Sequence, residues 1–130
     1  MSSQPSCTLP LRVRYAECDP MGFVHHSVYP VWLEMARIEL LRSRGHVYAE
    51  LEKQGLRIVV VRLNISYHKP AGYDDQLQVT AQLTRADGAK IEHDYQIHRG
   101  PDLLVTANTT LACLDPNGKP QRIPAFLCHP

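Results

Sequence analysis

One stretch of this chain repeats its apolar residues with a helical period, and from Leu56 onward the period drops to two. Between Ser27 and about Arg44, apolar residues recur at spacings of three and four. Val28, Val31, Met35 and Ile38 share one face, and Trp32, Leu33, Ala36, Leu40 and Leu41 widen it beyond a narrow stripe. A helix this apolar must be buried over much of its circumference. Ser27 is expected to cap it, Pro30 falls in the first turn where a missing N–H is tolerated, and Gly45 ends it. Glu34 and Arg37 are three apart and can pair. A shorter helix is expected over 46–54.

The remaining segments read as strands. Residues 11–17 alternate apolar and polar and predict a short strand. Residues 56–68 are rich in Val and Ile and predict a long one. Leu77, Val79, Ala81 and Leu83 alternate with Gln78, Thr80, Gln82 and Thr84, as a strand with one wet face does. Asp87-Gly88 marks a hairpin turn, and Ile91, Tyr95 and Ile97 continue the alternation in the partner strand. A last strand covers about 103–114, before Asp115-Pro116-Asn117-Gly118. The order is strand, long helix, then a meander of four strands, an α+β layer. The 130 residues fit a single domain over 1–130, with residues 1–8 expected to be a flexible tail.

Composition narrows the partners. A net charge of +1 argues against nucleic acid or an anionic membrane as a ligand. No apolar run nears the roughly 20 residues that span a bilayer, and the N-terminus lacks the basic and apolar regions of a secretory signal. Cys7, Cys18, Cys113 and Cys128 form no C-x-x-C pair, and the seven histidines show no metal-binding spacing. A reduced, cytoplasmic protein without metal or redox cofactor is the expectation.

Between the first strand and the long helix lies Glu17-Cys18-Asp19-Pro20-Met21-Gly22-Phe23-Val24-His25-His26-Ser27-Val28-Tyr29. With Leu33-Glu34-Met35-Ala36-Arg37 and Gly72-Tyr73-Asp74-Asp75, this segment resembles the signature of the 4-hydroxybenzoyl-CoA thioesterase-like family. The resemblance implies a hotdog fold, a curved antiparallel sheet wrapped around one long helix. It implies a homodimer at minimum, whose sheets join with active sites at the interface, and pairing of dimers into a homotetramer. It implies hydrolysis of an acyl-CoA, with an acyl carrier protein ester as a variant substrate. A non-catalytic acyl-CoA or acyl-carrier binding module is the rival reading. A dehydratase would need a different motif, which this chain does not carry.

Thioester hydrolysis needs a nucleophile or base, and donors for the developing oxyanion. By resemblance, Asp19 is the catalytic carboxylate, attacking the thioester or activating a water. The bland alternative is an ordinary Asx-turn residue. Backbone N–H groups around His26 and Ser27 open the helix and suit an oxyanion. The His26 imidazole could orient water or protonate the leaving thiolate. Gly22 is read as allowing close approach or positive φ. His25 is read as pocket lining, and Tyr29 as an acyl-pocket wall or a core residue. Glu34 is the reserve carboxylate, although as part of the signature it reads better as half of a buried pair with Arg37. Arg85, Lys90 and Arg99 lie near the central hairpin, where relatives hold the CoA nucleotide. The relatives' basic cluster falls here on Asp87-Gly88-Ala89, which offers no cation.

Overall fold

The computed structural model describes residues 4–128. Five strands form one antiparallel sheet: β1 (Ser6–Arg12), β2 (Arg57–Tyr67), β3 (Gln76–Asp87), β4 (Lys90–Arg99) and β5 (Asp102–Leu114). Helix α1 (Tyr29–Ser43) is followed by α2 (Tyr48–Lys53), and α3 (Ala125–Cys128) closes the described chain. The sheet order is β1-β3-β4-β5-β2.

Alternation builds the core. Leu77, Val79, Ala81 and Leu83 of β3 point to the same side as Ile91, His93, Tyr95 and Ile97 of β4, and all are buried. Val105, Ala107, Thr109, Leu111 and Cys113 of β5 complete that face. Against it α1 lays Tyr29, Trp32, Leu33, Ala36 and Leu40, spaced as one helical stripe. Burying side chains such as Trp32 and Leu33 stabilises the fold by about 1.5–3 kcal/mol each. This is the α+β sheet-and-helix arrangement that the resemblance implies.

Four expectations change. The first strand is β1, Ser6–Arg12, and residues 15–17 form a single 3-10 turn instead. The alternation extends backwards through Leu9 and Cys7, so Ser6, Cys7 and Thr8 pair with Gln82, Ala81 and Thr80 and belong to no tail. Residues 1–3 lie outside the described residues. Pro10 is tolerated because β1 is an edge strand. The four-strand meander is a three-strand one: β3, β4 and β5 follow in order, while β2 lies on the far side of β5. Eight residues separate β2 from β3, a crossover and not a tight turn.

The third change concerns α1. Val31 is 53% exposed, and Met35 is exposed as well, so the face shared with Ile38 is apolar but uncovered within the chain. The fourth concerns the cap. Val28 occupies the N-cap without a side-chain hydrogen bond, and Ser27 is engaged elsewhere. Gly45 ends the helix as expected, with φ +89°.

Candidate active site

Glu17 organises the end of the molecule where α1 begins. Its carboxylate accepts from the Arg14 backbone N–H (2.7 Å), from Arg14 Nη2 (3.2 Å) and from Trp32 Nε1 (3.1 Å). The residue is only 8% exposed. Burial alone raises the carboxyl pKa, but the Arg14 and Trp32 hydrogen bonds and the Arg14 charge outweigh it and leave the group below its usual value. The Glu17 carbonyl accepts from the His25 N–H (3.0 Å). One residue thus fixes the loop to the helix, a role absent from the expectations drawn from sequence. A carboxylate three residues beyond an arginine, bordering an apolar helix with a Trp, was the available signal.

The loop from Cys18 to Ser27 folds back on itself. Cys18 bridges to Val24, and the Asp19 N–H donates to the Phe23 carbonyl (2.8 Å). The Val24 N–H reaches the Ala71 carbonyl (2.9 Å), and Phe23 bridges to Gly72. Asp19 is half-buried, and its Oδ1 accepts from the Met21 N–H (2.9 Å) and the Phe23 N–H (3.3 Å). That is an Asx turn. Its Oδ2 has no hydrogen bond among the described residues, so the turn occupies only one of the two carboxylate oxygens. Gly22 turns the loop at φ +87°, and a Cβ there would meet nothing within 4 Å. Positive φ, and not close approach, is why glycine stands there.

His25, His26 and Ser27 are exposed, and the two imidazoles lie tilted with centroids 4.2 Å apart. The Ser27 N–H points at His25 Nδ1 (3.2 Å), which makes that nitrogen an acceptor. The Ser27 hydroxyl, 2.8 Å away, then donates to it too. The His26 N–H has no partner among the described residues, and its carbonyl accepts from Tyr67 Oη (3.3 Å). Asp19 and His26 share no hydrogen bond within the chain. Tyr29 is buried and packs edge-on against Trp32 and Tyr67. Burial raises its pKa, and its hydroxyl accepts weakly from the Ala71 N–H (3.4 Å). It is thus a core residue, and it also lines a pocket of about 240 Å³ with Val24, His26, Tyr67, His68 and Lys69.

The three expected cations separate. Arg99 donates to Asp75 (2.9 Å) and to the Pro70 carbonyl (3.2 Å), clamping the loop that supports Val24 and Phe23. Arg85 binds Asp87 (2.9 Å) and Glu92 (3.3 Å). The Asp87 hydrogen bond leads the contacts that raise its already high pKa. Arg85 and Lys90 line a shallow depression with Arg62 at the opposite end of β4. Nine residue steps of strand, about 30 Å, lie between Lys90 and Arg99. One chain cannot use all three on one phosphate group. Glu34 is exposed, with its carboxylate 4.0 Å from Arg37. The expected buried Glu34–Arg37 pair is therefore not fully buried: Arg37 is the partly buried member, and it donates to Tyr95 Oη (3.2 Å). Among the described residues no three His, Cys, Asp or Glu side chains are grouped to hold a metal ion.

Residues 13–130 match the thioesterase-like superfamily. The chain is 33% identical to the acyl-CoA thioesterase YbgC of Haemophilus influenzae over 94% of both chains. It is 30% identical to the acyl-CoA thioester hydrolase YbgC of Escherichia coli, over 88% of this chain and 87% of that one. The solved structure of a DHNA-CoA thioesterase from Staphylococcus aureus superposes with a TM-score of 0.87 at 31% identity, covering 90% of this chain and 80% of the other. A family match over nearly the whole chain, with the Asp19 loop and α1 in one arrangement, makes this protein a hotdog-fold member of the thioesterase-like superfamily.

Proposed function

We propose that the protein hydrolyses acyl-CoA thioesters, with Asp19 as the reacting carboxylate and the His26 N–H as oxyanion donor. One observation carries the reading. A carboxylate oxygen without a partner and a backbone N–H without a partner are presented by one short loop at the start of α1. The Asx turn holds the first carboxylate oxygen and orients the second. The positive end of α1 lies beside the N–H that would meet the developing negative charge. The His26 imidazole would then supply a proton to the leaving thiolate.

Two routes use the same carboxylate. Direct attack forms a mixed anhydride and expels CoA thiolate, and water then cleaves the anhydride. In the alternative, Asp19 takes a proton from water as the water attacks. Single-turnover hydrolysis in oxygen-18 water separates them, since only the anhydride route lets label enter the Asp19 carboxylate.

The same reading includes a dimer. β2 pairs with β5 alone, and Val59, Val60, Val61, Leu63 and Tyr67 are exposed along it. Val31 and Met35 of α1 are exposed as well. An exposed apolar edge strand is what a second copy would cover. In a two-fold antiparallel pairing the start of one β2 meets the end of the other. The Arg62, Arg85 and Lys90 cluster of one protomer then moves toward the Asp19 end of its partner, where CoA phosphates need cations. A homotetramer would need a further contact between dimers. All four cysteines are free, which fits a reducing cytoplasm. No helix among the described residues is long and apolar enough to cross a membrane.

Thiol release from a panel of short, long and aromatic acyl-CoAs tests the activity. Asp19→Asn is expected to lower kcat about a hundredfold or more, about 2.7 kcal/mol, while acyl-CoA still binds. Binding without thiol release from any ester, or near-normal turnover in Asp19→Asn, removes the reading.

A further inference from the structure

A second cavity is lined by none of the residues of the Asp19 loop. It has a volume of about 210 Å³ and sits beneath the C-terminal half of α1. Leu41 and Ile38 of the helix, Ile58 at the start of β2, and Leu83, Ile91 and Leu111 of the sheet give it apolar walls. The helix is 15 residues long, so its two ends are about 22 Å apart. The cavity shares no lining residue with the pocket beside His26 either, so it is not the acceptor space beside Asp19 within the same chain.

Its polar lining is unusual for an apolar hole. Arg37 and Arg44 both contribute, while Glu34 at the rim is the carboxylate on the same helix face. The third polar wall is His93, 7% exposed, whose Nδ1 has no hydrogen-bond partner. A buried polar atom without a partner is costly, and a ligand that meets it recovers that cost. Burial, helped by the charges of Arg37 and Arg44, lowers the His93 pKa to about 3. The ring is thus neutral at physiological pH, and can donate one hydrogen bond without adding a charge. The Arg37 side chain is held by its bond to Tyr95 Oη, which in turn meets Thr109 Oγ1 at 2.7 Å. Its Nη2 lies 4.0 Å from Glu34, beyond hydrogen-bond reach. The Arg37 guanidinium in this wall also offsets the negative end of α1.

We propose that this cavity binds a small monocarboxylic acid with a compact apolar body, its carboxylate held by Arg37 beside His93. Size agrees: an apolar cavity of about 150 Å³ accepts benzene, so this one takes a ring with a short acid arm. Charge agrees, because guanidinium–carboxylate hydrogen bonds are the strong class. Acids of this kind are what thioester hydrolysis releases. A role in sensing product rests on the proposed activity, whereas binding of the free acid does not.

Phenylacetate is the probe, and 2-phenylethanol its neutral counterpart. Titration calorimetry on the wild-type protein is expected to give phenylacetate at least about a tenfold advantage. The His93 ring resonances are expected to move on addition of the acid. Arg37→Met is expected to erase the advantage; should that variant fail to fold, the wild-type comparison and the His93 signals still decide. Asp19→Asn is expected to bind phenylacetate like wild type even with hydrolysis sharply lowered, which keeps this site separate from the proposed reaction. Equal affinity for acid and alcohol overturns the proposal, as does a response confined to residues 19–29, or no binding at about 10 mM.

Discussion

At the scale of single residues, Asp19 is both a turn residue and a candidate reactant, and its two oxygens divide the work. The glycine three positions on is the turn's condition. An L-residue pays roughly 1–2 kcal/mol in the left-handed region that Gly22 occupies at φ +87°. Gly22→Ala is expected to lower kcat/KM more than the modest loss in unfolding free energy suggests, because it moves Asp19; parallel kinetics and urea unfolding check this. Glu17 is the second point of control. Glu17→Gln keeps the shape but gives up the charge that Arg14 and Trp32 meet. A loss of about 1–3 kcal/mol is expected in denaturant unfolding. The motif was legible because its residues are contiguous. The partners of Glu17 were not, since Trp32 reaches it only when α1 has folded back over the loop.

At the scale of elements, α1 and β2 carry the largest departures from expectation. The apolar residues of α1 predict burial, yet Val31 is 53% exposed, and Val61 of the Val- and Ile-rich β2 is 57% exposed. Apolar composition says that a surface prefers to be covered; it does not say whether the same chain covers it. If a second copy does, a charge at the strand edge must break the pairing. Val61→Lys is expected to shift the protein to monomer in sedimentation velocity and to lower thioester hydrolysis in step, with the helical circular dichroism signal retained. A dimer of unchanged mass would sink the β2 interface. Arg12-Val13-Arg14-Tyr15 also alternates, which puts the expected first strand five residues too late in the chain. Pairing with β3 fixes β1 at Ser6–Arg12, and the pull of Glu17 toward Trp32 curls the following residues into a turn.

At the scale of the whole molecule, His93 links the core to pH. It lies in the core beside Tyr95, with Arg37 and Arg44 as the facing charges and Glu34 at the rim. Its pKa is about 3 folded and near 6.5 unfolded, so between those values the unfolded chain binds the extra proton. Stability should therefore fall as pH drops from 6.5 toward 3, by roughly 1.4 kcal/mol per pH unit, and level off below. Urea unfolding across that range, with His93→Phe as the reference, isolates the effect; parallel profiles for both proteins would contradict it. The sequence by itself determined the long helix, the alternating strands, the Asp19 loop and the family, because each is written in neighbouring residues and short periods. Only the tertiary structure decided which strand lies at the edge, that Arg85 and Lys90 stand at the opposite end from Arg99, and that His93 is buried without a partner. Those depend on contacts between residues far apart in the chain, and local pattern carries no information about which distant surface a side chain will meet.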